Sequence, residues 1–338
     1  MAETYILKKA SLPKLYESFK AQGNTVFAPF NNGKKIEFAK IENFNDIVFD
    51  YINTNQSTKE IVFPRYEKVF AYSKDEKKEV TLESPSETKI PNSIIFGQRP
   101  CDAVGINALK GIFQTDYNDN FFTARYDKTS FITISCSKCD ENCFCTSSGF
   151  TPGSSDGSDI LLTQIESGDY YAEIISEKGK KILENNTTLF EKSEAIDKAK
   201  YLANVEVKFE NQNIRAKLAN LFENETWVEQ SLHCIGCGAC AYVCPACACF
   251  DIHDENNGKK GFRYKCWDSC GLGHFTLHTS GHNPREVQSQ RWRQRIYHKF
   301  AYMPDREKVF GCVGCGRCSK VCPVNMNIIE HLQTINEL

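Results

Sequence analysis

The order of apolar and polar positions predicts a mixed N-terminal part. Apolar residues at Leu12, Leu15 and Phe19 recur at helical spacing, and Gly23 marks the end of a first helix. Five segments rich in β-branched and aromatic residues, separated by Asn, Gly and Lys clusters, are typical of strands. They are TVFAPF (25–30), IEFAKI (36–41), EIVFPRY (60–66), KVFAYS (68–73) and NSIIFG (92–97). We therefore expect an α+β fold that begins with a mixed α/β domain.

The pattern changes after position 146. Nine of the thirteen residues from 147 to 159 are Ser, Gly or Pro, which predicts a flexible surface loop. Residues 160–175 are typical of a β-hairpin, and charged helical sequence leads on from there to about residue 225. At roughly 150 residues per domain, the chain of 338 residues is expected to form two domains, 1–215 and 216–338.

Cysteine is the unusual feature of the composition. Of 17 Cys, five lie at 101–145, the next 88 residues hold none, and twelve lie at 234–322. Lys and Arg (41) nearly balance Asp and Glu (43), so the net charge of -2 gives no sign of a nucleic-acid partner. Residues 1–10 lack an apolar stretch of signal-peptide length, so we expect a cytoplasmic protein with reduced thiols. The uncharged run 230–250 contains six Cys, and we expect no membrane span.

Two copies of a cysteine motif give the strongest prediction. CIGCGACAYVCP at 234–245 and CVGCGRCSKVCP at 312–323 agree at eight of twelve positions. The spacing CxxCxxCxxxCP wraps three thiolates around a four-iron cluster, and in two-cluster ferredoxins the fourth Cys binds the other cluster. The alternative, a pair of structural zinc sites, favours two CxxC pairs with a longer loop between them. The expected sets are Cys234, Cys237, Cys240 and Cys322 for one [4Fe-4S] cluster, and Cys312, Cys315, Cys318 and Cys244 for the other.

The remaining cysteines leave alternatives open. Cys101 with CSKCDENCFC (136–145) could bind a third iron-sulfur cluster or zinc, or could be ordinary buried thiols, and Asp102 is expected to be the N-cap of a following helix. Beyond the first repeat, Cys247, Cys249, Cys266 and Cys270 could add metal ligands or simply pack beside a cluster. The basic segment 285–299 is either a solvated helix face, a set of cations that offsets the charge of the clusters, or a docking face for an acidic partner.

Nothing in the sequence indicates bond-making chemistry. There is no Walker motif, the glycines around the cysteines do not form a dinucleotide fingerprint, and no catalytic triad or carboxylate pair stands out. We therefore expect no nucleotide cofactor and no catalytic residues in this chain.

From FPRYEKVF at 63 to the C-terminus, through IIFGQRPCD, ENCFC, CPACACFDI, WDSC, SGHNPR and CVGCGRC, the chain resembles one family of iron-sulfur electron-transfer subunits. The family comprises the beta subunit of cytoplasmic NAD(P)-linked nickel-iron hydrogenases (sulfhydrogenases) and the iron-sulfur electron-transfer subunit of anaerobic sulfite reductase. The resemblance implies that Cys101, Cys136, Cys143 and Cys145 are the functional N-terminal thiols, whereas Cys139 and Cys266 are peculiar to this chain. It also implies two kinds of partner: a FAD- and NAD(P)H-binding reductase subunit, together with a separate catalytic subunit.

The function that follows is that of an electron-transfer iron-sulfur subunit of a multi-subunit oxidoreductase, with two [4Fe-4S] clusters and a third iron-sulfur cluster. Two alternatives belong to other classes. One is an autonomous reductase whose N-terminal cluster binds a sulfur substrate, and the other is a zinc-stabilised interaction module.

Overall fold

A computed structural model describes residues 3–76, 79–83 and 90–338. Helices and strands are mixed, as the α+β prediction requires. The strands are β1 Glu3–Leu7, β2 Thr25–Asn31, β3 Ile36–Lys40, β4 Tyr66–Lys74, β5 Val80–Glu83, β6 Ser93–Gln98, β7 Thr129–Ile134, β8 Ile160–Gln164, β9 Tyr170–Ile174, β10 Phe190–Lys192, β11 Phe250–Asn256 and β12 Lys260–Trp267. The helices are α1 Leu12–Ala21, α2 Lys59–Val62, α3 Pro100–Gln114, α4 Asn120–Asp127, α5 Glu177–Glu184, α6 Asn211–Leu218, α7 Thr226–Ser231, α8 Ala239–Tyr242, α9 Gln288–Tyr297, α10 Met303–Arg306, α11 Arg317–Val321 and α12 Ile328–Glu337.

The N-terminal part is built on an eight-stranded sheet in the order β10-β1-β9-β8-β7-β6-β2-β3. Strands β2, β6, β7 and β8 run parallel to one another, and the strands at both edges are antiparallel. All six residues of β6 are buried, which is typical of a strand covered on both faces. Helix α1 covers the sheet with Leu12, Leu15, Tyr16 and Phe19, so the predicted first helix is confirmed.

A second, four-stranded sheet joins the two parts of the chain. Its order is β11-β12-β4-β5, and β12 pairs with β4 in antiparallel fashion. The hairpin of β11 and β12 comes from the segment between the two cysteine repeats, so this insertion packs on N-terminal residues. The division at residue 215 stays a prediction.

The C-terminal part packs around a second apolar cluster. Trp227 from α7, Trp292 and Ile296 from α9, and Leu332 from α12 meet there with Phe300. The ligand-bearing loops are attached to this cluster, because Cys312 belongs to it and Cys234, Cys318 and Cys322 pack against it.

Two local predictions are wrong. Segment 60–66 forms the short helix α2 and then coil, because a buried apolar run such as Val62–Phe63 does not distinguish helix from strand. The loop 147–159 is not simply a surface loop, because six of its thirteen residues are buried and the side chain of Asp159 accepts a hydrogen bond from the Phe131 backbone at 2.7 Å. Small residues permit this close packing, since a Cβ at Gly157 would lie 2.3 Å from the Ala103 carbonyl oxygen.

Candidate metal centres

The two cysteine repeats fold into two copies of one loop. In each copy a glycine in the left-handed region, Gly238 (φ 74°) or Gly316 (φ 70°), caps the N-terminus of a short helix, α8 or α11. The turn places three Cys before or within the first helical turn and the fourth Cys after the helix. Glycine is favoured at these two positions because residues with a side chain rarely adopt a positive φ.

The first cavity gathers thiols from both loops. It is lined by Cys234, Cys237 and Cys240 of the first loop and also by Cys318 and Cys322 of the second, together with Cys270. The fourth Cys of the second repeat therefore faces the first loop, which supports the crossed ligand set.

Hydrogen-bond donors point at the sulfurs of this cavity. Gln288 Nε2 donates to Cys234 Sγ at 3.0 Å, and the Met326 amide donates to Cys322 Sγ at 3.2 Å. Arg295 also lines the cavity, and its buried Nε has no hydrogen-bond partner among the residues that the structure describes. Because an unpaired buried guanidinium nitrogen is costly, this atom fits an anionic group held by the thiols.

The second ferredoxin set is more deeply buried. Cys312 and Cys244 are both 8% exposed, and burial raises the pKa of Cys318 to about 12. Lys299 links the two halves of the set, since its Nζ donates to Cys244 Sγ at 3.3 Å and to the Gly311 carbonyl at 2.6 Å. Thiols that burial keeps protonated become thiolates when a metal displaces the proton.

The five N-terminal cysteines line a second cavity. Cys101 lies in the first turn of α3, and the other four follow β7 in the loop 135–145. Burial raises the pKa of Cys136 to about 11 and that of both Cys143 and Cys145 to about 12. Cys139 differs from the others, because its thiol donates a hydrogen bond to the Asn204 carbonyl at 3.3 Å.

The second ferredoxin loop forms one wall of this N-terminal cavity through Val313, Gly314 and Cys315. The Phe144 amide donates to the Gly314 carbonyl at 2.8 Å, and Asn53 Nδ2 donates to the Cys315 carbonyl at 2.8 Å. A Cβ at Gly314 would lie 2.4 Å from the Cys145 amide nitrogen. The loop that carries the N-terminal thiols and the second ferredoxin loop are thus in direct backbone contact.

A buried ion pair fixes that contact. Arg317 Nη2 lies 2.9 Å from Asp102 Oδ2, and both side chains are almost fully buried. The expectation that Asp102 is a helix N-cap is wrong: Arg99 occupies that position, and Asp102 lies within α3. The carboxylate is instead drawn to Arg317, whose Nη1 also reaches to 3.9 Å from Cys101 Sγ.

Cys247, Cys249 and Cys270 lie together beside the first loop. The contact with Cys249 lowers the pKa of Cys270 to about 6, and the contact with Cys244 lowers the pKa of Cys247 well below its usual range. Cys266 is placed apart from them, on β12 opposite Asp251.

The basic segment 285–299 is not simply a solvated face. Arg295 is 4% exposed and Lys299 is 3% exposed, and both lie against cysteine sulfurs. The solvated-face alternative is therefore wrong for these two residues, and the geometry supports cations that offset thiolate charge.

Several residues that contact the cysteine loops could not be found from the sequence. Asn53 and Gln288 contact the cysteine loops, and Lys59 donates to the Cys247 carbonyl at 3.0 Å, yet none of them lies in a motif.

Among residues 3–76, 79–83 and 90–338, no group of three or more His, Cys, Asp or Glu side chains could hold a single metal ion. The same described residues contain no helix that is long and apolar enough to span a membrane.

The class to which the C-terminal part belongs follows from a comparison with protein families. Residues 233–326 match the family model of the 4Fe-4S dicluster domain, which implies two [4Fe-4S] clusters. Over 334 residues the chain is 28% identical to sulfhydrogenase 2 subunit beta of Pyrococcus furiosus, an alignment that covers 96% of this chain and 95% of that protein. The resemblance to sulfhydrogenase beta subunits is thus confirmed over nearly the whole chain, and the likeness to the sulfite reductase component stays a prediction.

Proposed function

We propose that the chain is an electron-transfer subunit that relays single electrons between two partners. One is a FAD- and NAD(P)H-binding reductase subunit, and the other is a catalytic subunit of hydrogenase or sulfite-reductase type. One observation carries the proposal: the second ferredoxin loop borders both cavities. Its Cys315 lines the N-terminal cavity, and its Cys318 and Cys322 line the first cavity. The three thiol groups therefore adjoin one another in a row, which is the arrangement a relay requires.

The residues assigned to the relay are those that the sequence predicts. The first cavity supports one crossed [4Fe-4S] set of Cys234, Cys237, Cys240 and Cys322. We assign Cys312, Cys315, Cys318 and Cys244 to the second set, and the contacts of Lys299 with Cys244 Sγ and with the Gly311 carbonyl next to Cys312 support this assignment. The third iron-sulfur centre is proposed to use Cys101, Cys136, Cys143 and Cys145. Bound clusters would supply one-electron redox chemistry there.

The first cavity provides a place for exchange with a partner. Cys237 is exposed, and the neighbouring Ile235 has 64% of its surface exposed. The N-terminal thiols and Cys312 are less accessible. We propose that one partner protein docks at the edge of the first loop.

The name of the similar protein supports the proposal that this chain works with partner subunits. A beta subunit of a sulfhydrogenase is one component of an assembly, and this chain aligns with it almost from end to end. The cytoplasmic location expected from the sequence stays a prediction.

The isolated chain, with iron-sulfur clusters but no flavin, is expected to show no reduction by NADH or NADPH. A pyridine nucleotide delivers a hydride, whereas an iron-sulfur cluster accepts one electron at a time, so a flavin is needed between them. Addition of a flavin reductase should restore reduction. The measurement is anaerobic absorbance bleaching with each nucleotide, with dithionite as the positive control.

Direct reduction by NAD(P)H without flavin would contradict the relay and favour the autonomous reductase. The same alternative would gain support if a sulfur substrate changed the spectrum of the N-terminal centre in the isolated chain. If the chain held stoichiometric zinc without acid-labile sulfide, the interaction module would be the better description.

The Cys143→Ser variant is expected to lose about four iron ions per chain, the content of one [4Fe-4S] cluster. Cys139→Ser is the matched control, because its thiol is engaged by the Asn204 carbonyl, and its iron content should stay unchanged. Iron and sulfide analysis of anaerobically purified variants measures both. Equal losses in the two variants would reject this choice of N-terminal ligands.

A further inference from the structure

Three cysteines outside the proposed centres converge at the base of the β11–β12 hairpin. Cys249 directly precedes β11, and Cys270 lies in the turn that follows β12. Pairing of Phe250 with Trp267 and a 3.0 Å hydrogen bond from the Asp268 amide to the Cys249 carbonyl bring the two ends together. The thiols of Cys249 and Cys270 are consequently close enough to interact, and Cys247 interacts electrostatically with both.

Buried cations surround this group. Arg295 Nη1 lies 3.7 Å from Cys247 Sγ, and Lys299 Nζ lies 3.3 Å from Cys244 Sγ. Within the described part of the chain, neither cation has a carboxylate at ion-pair distance. A guanidinium is always charged, and burying a charge without a counter-ion is strongly unfavourable. The sulfurs are the groups available to supply the negative charge.

The two ferredoxin sets explain only part of that charge. They use Cys240 and Cys244, whereas the sulfur that Arg295 contacts belongs to Cys247. A buried sulfur beside a guanidinium is the environment of a thiolate, and thiolates are the form that binds metal.

The spacing of the group repeats that of the N-terminal centre. Cys247 and Cys249 form a CxC pair that is completed by the distant Cys270, as Cys143 and Cys145 form a CxC pair that is completed by distant thiols. We propose that Cys247, Cys249 and Cys270 bind a fourth iron-sulfur cluster. The proposal rests on the proposed function, because it takes Cys240 and Cys244 as ligands of the two ferredoxin clusters.

The fourth centre adjoins the first one. Cys270 lines the first cavity together with Cys234, Cys237 and Cys240, so the same residue borders both sites. Lys59 and Trp267 close the other side: Lys59 Nζ lies 4.1 Å from the Trp267 ring centroid and donates to the Cys247 carbonyl. The relay therefore has a branch that leads from the first loop towards the sheet of β4, β5, β11 and β12.

Native mass spectrometry of the anaerobically purified full chain tests the proposal without any substitution. The expected mass is that of the polypeptide with four clusters. A mass accounted for by three clusters would overturn the proposal, as would three clusters plus one zinc ion. A Cys249–Cys270 disulfide, recognised by the loss of two hydrogens after cluster removal under denaturing conditions with thiol alkylation, would overturn it too.

Two variants locate the fourth centre. Cys249→Ser and Cys270→Ser are each expected to lose one cluster, about three or four iron ions, while the ferredoxin-type electron paramagnetic resonance signals remain. Cys266→Ser is the matched control from the same hairpin, and it should lose no iron. Full iron retention in Cys249→Ser would refute the site. Failure of the proposed function is distinguishable, because it would remove the ferredoxin signals from the unsubstituted protein.

Discussion

The Gly314→Ala substitution is expected to separate the second ferredoxin loop from the N-terminal thiols. Gly314 has a φ of 65°, and an added Cβ would lie 2.4 Å from the Cys145 amide nitrogen and 2.5 Å from the Phe144 carbonyl carbon. These are backbone atoms, so no side-chain rotation relieves the clash. We expect about 1–2 kcal/mol of backbone strain and a further loss of about 1–3 kcal/mol from overpacking. Anaerobic denaturant titration measures the change in unfolding free energy, and iron analysis should show loss from the two adjoining centres.

Gly258→Ala provides the matched control for backbone strain. Gly258 lies in the β11–β12 hairpin with a φ of 85°, and an added Cβ would meet none of the described residues within 4 Å. This variant should incur only the strain of a left-handed alanine and keep its iron. If the two variants lost the same stability and the same iron, the contact between Gly314 and Cys145 would contribute nothing to the assembly of the centres.

The local part of the site could be predicted from the sequence. The repeats at 234–245 and 312–323 fold into two like loops because the spacing of four Cys and the glycines in the left-handed region act over a dozen neighbouring residues. Strands β2, β3, β4 and β6 were predictable for a similar reason, since their alternation or continuous apolar character is local.

The contacts between the centres could not be predicted in this way. Arg317 and Asp102 are 215 residues apart in the chain, and Lys59 lies 188 residues from Cys247. No spacing rule relates such positions, because tertiary packing alone brings them together. The burial of segment 147–159 was missed for the same reason: its Ser and Gly residues are typical of loops, yet their small size is what allows Gly157 to approach α3.

The same packing accounts for where the charges lie. Arg295 lies in α9, and Lys299 lies in the π-helical turn His298–Tyr302 that continues α9, so that the two cations meet the sulfurs of Cys247 and Cys244, respectively. Burial by itself would lower the pKa of Lys299, but the sulfurs of Cys244 and Cys247 raise it above its usual value. A cation held in this way stabilises the more negative, reduced form of a neighbouring cluster and so raises its reduction potential.

The Arg317→Met substitution is expected to destabilise the junction of the centres strongly. Arg317 is 2% exposed and Asp102 is fully buried, so removal of the guanidinium leaves a carboxylate in the interior without a counter-ion. The second oxygen of that carboxylate, Oδ1, already has no hydrogen-bond partner among the described residues. Breaking a buried pair by removing one partner typically costs about 3–5 kcal/mol, and anaerobic denaturant titration should show a loss of this size.

The double variant Asp102→Asn/Arg317→Met separates charge from packing. Because it removes both charges, it should recover most of the stability that the single variant loses. Arg263→Met is the control for an exposed pair, since Arg263 meets Asp254 at the surface, and no measurable change is expected there. If the double variant were as unstable as Arg317→Met, the loss would come from the hydrogen bond of Arg317 Nε to the Thr54 carbonyl and from packing, not from the ion pair. If the ion pair is the cause, the iron of the N-terminal centre should fall in the single variant and return in the double one, because an unpaired carboxylate at Asp102 directly follows Cys101 in α3 and only the single variant contains it.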